Sequence, residues 1–176
     1  MSWKIISSEI IQENEFLKIT KDKCEKSDGT PVEAYYTLNK GPVVVVAAIT
    51  DNKELVLIKQ YRHPVKSENI EVPAGYTEKG ESLEESAKRE LIEETGYSVK
   101  EIKKLHTVFA SAGTMDNEIT FFLGTGAHKT QDQNLDQNEE IEIQLTPLKE
   151  VQELLEKEII KDMASVLAIH LIQKHL

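Results

Sequence analysis

The chain has 176 residues, of which 39% are hydrophobic and 30% are charged, and its formal net charge is −10. This length suits one well-buried core and is short for two complete domains, so we expect a single domain over residues 1–176. The negative charge argues against nucleic acid as the main partner.

The sequence also bears on the compartment. It has no apolar run long enough to span a membrane, and its first residues lack the basic start and apolar segment of a signal peptide. A single cysteine, Cys24, excludes an internal disulfide. We therefore expect a cytoplasmic protein with no membrane partner.

The first predicted elements are strands. Apolar residues alternate or cluster in three segments near the N-terminus, Trp3–Glu9, Phe16–Lys21 and Ala34–Leu38. Between the second and third of these segments, Asp28-Gly29 is typical of the tip of a hairpin.

A longer apolar run follows. The segment Pro42–Ile49 is continuously apolar, which predicts a central strand that is buried on both faces. Asp51-Asn52 then predicts a turn into a partner strand, Leu55–Ile58.

The clearest helix prediction covers Leu83–Thr95. Ser82 and Glu85 have the spacing of a capping box at its start, and Gly96 is a typical C-terminal stop. The residues between them are good helix formers, so a helix of about three and a half turns is expected.

This helix carries a cluster of carboxylates. Glu90 and Glu94 lie one turn apart on one face, with Glu93 beside them, and Leu91 projects into nearly the same sector. The carboxylates should therefore lie where core meets solvent, where unpaired like charges are costly. A divalent cation would satisfy them, whereas the alternative interpretation is an ordinary acidic surface helix supported by i,i+4 ion pairs.

The C-terminal third alternates strands and helices. Ile119–Leu123 and Ile141–Leu145 are predicted strands, and the polar segment 131–140 between them is predicted to be a mobile loop. Thr146 is a predicted N-cap for a helix through about Lys157, with Pro147 as its first residue. Asp162 is the predicted cap of a last helix that ends near His175.

The glutamate-rich segment matches a known signature. Its spacing resembles the pattern of the Nudix hydrolases, G-x5-E-x7-R-E-U-x-E-E-x-G-U, where U is a bulky aliphatic residue. The one departure is Tyr97 at the last aliphatic position, and the matching residues are Gly75, Glu81, Arg89, Glu90, Leu91, Glu93, Glu94 and Gly96. The resemblance implies an α/β/α sandwich around a mixed sheet and hydrolysis of a diphosphate linked to another group.

The resemblance extends beyond this segment. Lys59–Pro64, Glu71–Gly75 and Asp162–Val166 are similar to segments of the ADP-ribose and nucleotide-sugar pyrophosphatase branch of the family. In that branch the N-terminal strands form a small extra sheet that dimers exchange, which implies the same for residues 1–40 here. The alternative is that these strands simply extend the core of the 41–176 catalytic part.

The resemblance also implies roles for residues. The expected metal ligands are the Ala74 carbonyl, Glu90 and Glu94, with Glu93 or Glu81 assisting, and the expected ion is Mg²⁺, for which Mn²⁺ could substitute. Arg89 would then be structural, because it would hold the carboxylates apart.

Other expected site residues lie outside the signature. Arg62 is a candidate for clamping a substrate phosphate, since a guanidinium can do so with two hydrogen bonds. A loop glutamate positions the attacking water in this branch, which here implies Glu139, with Glu140 as the alternative. Stacking on a base or sugar would fall to aromatic residues of the N-terminal strands, namely Phe16, Tyr35 and Tyr36.

The sequence does not specify which nucleoside diphosphate derivative is the substrate. ADP-ribose-selective members carry a Ser-Pro-Gly loop, and here the corresponding stretch is Ser111-Ala112-Gly113, which lacks the proline. GDP-mannose and other nucleotide sugars are therefore also expected candidates. Two alternative functions are a nucleoside triphosphate pyrophosphohydrolase and a nucleotide-sugar-binding regulator without turnover.

Overall fold

The computed structural model describes all 176 residues, Met1–Leu176, which divide into two compact units. The first unit comprises Met1–Pro42 and Val108–Glu118, and the second comprises Val43–Thr107 and Ile119–Leu176. The division falls next to the predicted boundary at residue 40, but residues 108–118, which were expected in the catalytic part, group with the N-terminal strands. The single domain over 1–176 stays a prediction.

The first unit is built on a three-stranded antiparallel sheet of β1 (Lys4–Glu13), β2 (Lys18–Glu25) and β3 (Pro31–Asn39). The predicted hairpin tip is confirmed, because Gly29 has a φ of 83° and donates its N–H to the Lys26 carbonyl over 3.0 Å. All of β1 is exposed, including its four isoleucines.

The second unit contains the large mixed sheet. Its main path runs β11–β5–β4–β10–β8, and β6, β7 and β9 pair with β5, β4 and β10. Strand β4 is parallel to β10 and antiparallel to β5 and β7. The strands are β4 (Val43–Thr50), β5 (Glu54–Arg62), β6 (Ser67–Glu71), β7 (Ala74–Tyr76), β8 (Tyr97–Ser98), β9 (Glu101–Phe109), β10 (Glu118–Lys129) and β11 (Ile141–Pro147).

The core of this unit is centred on β4, as the continuous apolar run predicts. Val44, Val46 and Ala48 on one face of the strand pack with Ala87 and Leu91 of helix α1 (Leu83–Thr95). The other face is buried as well, and α3 (Met163–Ile172) packs against the same strand. Helices therefore cover the sheet as the predicted sandwich requires.

The observed N-terminal caps of the helices agree with those predicted from the sequence, with one exception. Asp162 caps α3 by accepting the Ser165 N–H over 2.8 Å, and a short 3₁₀ turn, Gln173–His175, follows α3. The prediction that Thr146 caps α2 (Leu148–Glu156) is wrong. Thr146 lies within β11, its buried hydroxyl has no hydrogen-bond partner, and Pro147 is the N-cap, because ladder pairing with Leu55 holds residue 146 in the sheet.

No helix combines the length and apolar character that crossing a bilayer requires.

Candidate active site

A cleft of about 510 Å³ opens in the second unit beside the N-terminal end of β4. Its walls come from strands β4 to β7, helix α1, the loop before β11 and the residues around the start of α3. The lining includes the predicted residues Arg62, Ala74, Glu90, Glu93, Glu94 and Glu139.

Helix α1 presents the carboxylates because both of its ends are fixed. At the N-terminus, Ser82 accepts the Glu85 N–H and the Glu85 carboxylate accepts the Ser82 N–H, which is the predicted capping box. At the C-terminus, Gly96 adopts a left-handed conformation with a φ of 71° and donates its N–H to the Ile92 carbonyl. The predicted bounds of this helix are confirmed.

Gly75 lets the helix approach β7 closely. A Cβ atom at this position would lie 2.1 Å from the carboxyl carbon of Glu90, which leaves no room for a side chain. The first glycine of the signature therefore places the Glu90 carboxylate against the backbone of β7.

Arg89 is the cation that the clustered carboxylates require. Its guanidinium donates to Glu81 at 2.9 and 3.1 Å, to Glu90 at 2.8 Å and to Glu93 at 2.8 Å. It also donates to the Tyr76 carbonyl over 2.9 Å, which ties α1 to β7. The structural role that the resemblance implies for Arg89 agrees with these contacts.

Glu81 is held within this network. One of its oxygens accepts from the Ser86 hydroxyl at 2.6 Å and from the Glu78 N–H at 3.2 Å, in addition to Arg89. The hydrogen bonds from Arg89, followed by that from Ser86, lower the pKa of Glu81 to about 2. Both oxygens of this carboxylate are thus occupied by protein donors.

Glu94 has a different environment. It is only 3% exposed, it forms no ion pair, and its carboxylate accepts one hydrogen bond, from the Ala74 N–H at 3.0 Å. Burial raises the pKa of Glu94 well above its ordinary value, and the neighbouring Glu90 and Glu139 charges raise it further. Burial likewise raises the pKa of Glu90, against the lowering effect of Arg89.

These oxygens are suited to a hard cation. The structure contains no group of three or more His, Cys, Asp or Glu side chains gathered as a metal site, because three of the four carboxylates turn toward Arg89. Glu94 is the exception, since it is buried beside Ala74 and forms no ion pair. All the donors here are oxygen, which Mg²⁺ and similar ions prefer.

Arg62, the last residue of β5, also lines the cleft. Its Nη2 and Nε atoms donate to the Glu71 carboxylate at 2.6, 3.1 and 3.2 Å, and Glu71 itself is 5% exposed. The hydrogen bonds from Arg62 to Glu71 raise the pKa of Arg62. One edge of the guanidinium is therefore fixed by Glu71, and Nη1 is left for another acceptor.

Glu139 lines the cleft, whereas Glu140 is not among the lining residues. Glu139 ends a tight turn in which its carboxylate accepts the Asp136 N–H over 3.0 Å and its own N–H donates to the Asp136 carbonyl over 2.9 Å. The geometry favours Glu139 over Glu140 as the group that faces the cleft.

The aromatic candidates belong to the first unit. Phe16 is 69% exposed and Tyr36 is 56% exposed, while Tyr35 is half-buried and donates its hydroxyl to the Gly113 carbonyl over 2.7 Å. The cleft itself is lined by residues of the second unit.

Sequence reasoning gave no role to several cleft residues. Glu71 was noted only as part of a family-like segment, Asp162 as part of another such segment and as a helix cap, and Asn134 not individually, yet all three line the cleft. For Glu71 a signal was available, because a carboxylate next to the buried Val72 at the end of a strand requires a partner.

Comparison with known proteins agrees with the fold and the signature. The NUDIX domain family model matches residues 40–168. The chain belongs to the Nudix family.

Two relatives match nearly the whole chain. An ADP-ribose pyrophosphatase of Bacillus subtilis (strain 168) is 30% identical over 171 residues, which are 97% of this chain and 92% of that protein. A methanol dehydrogenase activator of Bacillus methanolicus is 31% identical over the same shares of the two chains.

A solved structure supports the fold. The crystal structure of an ADP compounds hydrolase superposes with a TM-score of 0.88 and 21% identity, covering 100% of this chain and 95% of that one. The predicted Nudix fold and the prediction of a Nudix pyrophosphatase are confirmed.

Proposed function

We propose that this Nudix protein hydrolyses the pyrophosphate bond of a nucleoside diphosphate joined to a sugar, with ADP-ribose as the first candidate. Water would add across the P–O–P bridge to give a nucleoside monophosphate and a sugar phosphate. The observation that carries the proposal is Glu94, a buried carboxylate that forms no ion pair, in a cleft that also holds Arg62 and Glu139.

Glu94, Glu90 and the Ala74 carbonyl are the proposed ligands of a divalent cation, Mg²⁺ by preference and Mn²⁺ as a substitute. Such an ion, when bound, neutralises phosphate oxygens and lowers the pKa of a water molecule. Glu93 assists by sharing Arg89 with Glu90, so that either carboxylate can turn toward the cleft. Glu81 assists indirectly, because it anchors Arg89 with two hydrogen bonds.

Two further side chains act on the substrate. Arg62 binds a phosphate oxygen through the guanidinium edge that Glu71 leaves open. Glu139 accepts the proton of the attacking water, and Glu140, its neighbour, is the alternative base. The protein thus needs to supply mainly positioning and charge, which is what pyrophosphate cleavage requires.

The first unit supplies the remaining proposed contacts. We propose a homodimer formed through the N-terminal strands, in which Phe16, Tyr35 and Tyr36 stack on the base or sugar. The exposed apolar residues of β1 and the exposed rings of Phe16 and Tyr36 support a surface that a partner covers.

The substrate range is proposed to be broader than ADP-ribose. Ala112 occupies the position where ADP-ribose-selective members carry proline, and its loop is held to β3 by the Leu38 N–H, which donates to the Thr114 carbonyl over 2.7 Å. GDP-mannose and other sugar nucleotides therefore belong in the test.

A substrate panel tests the proposal. ADP-ribose, GDP-mannose, other sugar nucleotides and nucleoside triphosphates are each incubated with Mg²⁺ and then with Mn²⁺. Phosphatase-coupled phosphate release is measured for the sugar nucleotides, and pyrophosphate release is measured for the triphosphates, because a phosphatase attacks triphosphates directly. Sugar nucleotides become phosphatase-sensitive only after cleavage into two monoesters. Release of monophosphate plus pyrophosphate from triphosphates alone would favour the nucleoside triphosphate alternative, and tight sugar-nucleotide binding without turnover would favour the regulator.

Glu94→Gln is the matching variant, with Glu84→Gln as its control. Glu84 lies on the same helix, but it is exposed and pairs with Lys88 at 2.7 Å. We expect Glu94→Gln to lower kcat/KM by at least on the order of 100-fold, because it removes a charged metal ligand, and Glu84→Gln to leave it unchanged. Hydrolysis by Glu94→Gln at the parental rate would refute the proposal.

A further inference from the structure

The segment before β11 is docked onto the C-terminal end of α1. A helix leaves its last carbonyl groups without partners inside the helix. Here the Asn134 N–H donates to the Glu93 carbonyl over 2.9 Å, and the Thr130 N–H donates to the Gly96 carbonyl over 2.8 Å. The segment that was predicted to be a mobile loop is thus joined to the helix that carries the signature carboxylates.

One side chain completes this docking. The Gln133 amide donates to the Glu94 carbonyl over 2.6 Å and to the Ile141 carbonyl over 3.1 Å. A glutamine amide has two N–H donors, so this one joins the end of α1 to the first residue of β11. Gln131 and Gln137, in the same segment, are exposed and their side chains form no hydrogen bond in the structure.

Glu139 lies on the stretch of chain between Gln133 and Ile141, the two residues that the hydrogen bond from the Gln133 side chain joins. The hydrogen bonds between Glu139 and Asp136 fix the glutamate to residues 136–139, and the two bonds of Gln133 fix the ends of that stretch to α1 and β11. The carbonyl that Gln133 binds belongs to Glu94, whose carboxylate lines the same cleft as Glu139.

We propose that Gln133 is a positioning residue that sets the place of Glu139 relative to the carboxylates of Glu90 and Glu94. This inference rests on the proposed function, in which Glu139 accepts a proton from water while Glu90 and Glu94 are metal ligands. Gln133 touches neither substrate nor water in this scheme. Its effect reaches the reaction only through Glu139.

A double-mutant cycle tests the inference. The variants are Gln133→Met, which keeps the length of the side chain and removes both donors, Glu139→Gln, and the two together, with Gln131→Met as the control. Hydrolysis of the best substrate from the panel is measured over a range of Mg²⁺ concentrations up to saturation, at a temperature where circular dichroism shows every variant folded. The temperature condition separates positioning from loss of the folded state.

We expect Gln133→Met to lower kcat on the order of tenfold to 100-fold, because small displacements of a reacting group are costly. KM and the Mg²⁺ concentration for half-maximal rate should stay unchanged, as should every parameter of Gln131→Met. In the Glu139→Gln background, Gln133→Met should cause no further loss, because the group that it positions is already inactive.

Two results would overturn the inference alone: an unchanged kcat in Gln133→Met, or the same fold loss with and without the Glu139 carboxylate. A Glu139→Gln variant with parental kcat would overturn the assignment of the base in the proposed function and this inference with it. Because the two kinds of failure appear in different single variants, they can be told apart.

Discussion

At the scale of single residues, Glu94 makes the folded chain without metal sensitive to pH, as Glu90 does with the same sign. Its raised pKa means that the folded state holds this proton more tightly than the unfolded state does. Between the ordinary pKa of 4.5 and the raised value, the folded state therefore loses stability as pH rises. Glu81 has the opposite sign, since its lowered pKa of about 2 gives stability that is lost only as pH falls below the ordinary carboxyl range.

We predict that Glu94→Gln stabilises the protein relative to the parent increasingly as pH rises above the ordinary carboxyl range, when no metal is present. Thermal unfolding with a chelator, followed between about pH 5 and pH 8, should show the melting temperature of the parent falling with pH more steeply than that of Glu94→Gln. The reason is that the glutamine keeps the acceptor for the Ala74 N–H and removes the buried charge.

Adding Mg²⁺ should reverse the order of the two melting temperatures, so that the parent melts above Glu94→Gln. The parent should gain stability through binding, and Glu94→Gln should gain little. Glu84→Gln should follow the parent in both conditions. If Glu94→Gln melts below the parent at every pH in chelator, the buried charge is not the source of the instability.

The residues of this site were predictable to different degrees. The placement of Glu90, Glu93 and Glu94 on one part of the helix follows from helical spacing, which the sequence contains directly. The role of Arg89 came only from the family resemblance, since spacing alone pairs it with Glu85, whereas in the structure it binds Glu81, Glu90 and Glu93. The contacts of Glu71 with Arg62 depend on the pairing of β5 with β6, and the hydrogen bond of Gln133 to the Glu94 carbonyl joins residues 39 positions apart. Sequence periodicity does not specify such contacts, because they are set by tertiary packing.

At the scale of elements, α1 is the structure on which the site depends. Its bounds were predictable because a capping box and a glycine stop are local signals. Strand β9 was not predicted, since Lys103-Lys104 interrupts its apolar alternation. The docking of residues 130–134 was also missed, because polar composition alone suggests a loop and says nothing of the helix carbonyls that bind it.

Two constraints require glycine at position 96, the backbone conformation and the space around the Cα atom, and substitutions can separate their effects. Its φ of 71° is unfavourable for other residues, and an added Cβ would lie 2.1 Å from the Gln131 carbonyl oxygen. We predict that Gly96→Ala lowers the free energy of unfolding by more than the ~1–2 kcal/mol that a left-handed conformation costs. It should also lower kcat, since it displaces the segment that leads to Glu139.

Gly80→Ala is the matched control, measured like Gly96→Ala by urea denaturation. Gly80 also has a positive φ, 97°, but no atom lies within 4 Å of its added Cβ. The loss of unfolding free energy in Gly80→Ala therefore measures the cost of backbone strain without a steric clash. Equal losses of unfolding free energy in the two variants would show that the clash with the Gln131 carbonyl adds nothing to the cost of Gly96→Ala.

At the scale of the whole molecule, the surface of β1 is the feature that a monomer explains least. Ile5, Ile6, Ile10 and Ile11 are each about half exposed or more, between 47% and 63%, and Trp3 is 47% exposed. The isoleucines form two consecutive pairs in the sequence, and a register irregularity lies at each pair, between Ile5 and Ser7 and between Ile10 and Gln12. An edge strand with this much apolar surface favours association with another chain.

We predict a dimer in solution that depends on this strand. The double variant Ile6→Glu and Ile10→Glu should shift sedimentation from dimer to monomer, because burying two carboxylates in an apolar interface is costly. The control is Ile159→Glu, since Ile159 is 44% exposed but lies in the second unit, away from β1 in sequence. It should sediment like the parent.

The same variants show whether the dimer matters for activity. If the N-terminal strands of one subunit help to bind substrate in the other, the monomeric variant should lose sugar-nucleotide hydrolysis mainly through a higher KM. Its Mg²⁺-dependent gain in melting temperature should persist, because the proposed ligands all lie in the second unit. If the parent is a monomer, or if the monomeric variant has an unchanged KM, the substrate site is formed by a single chain. The apolar surface of β1 would then bind a different partner.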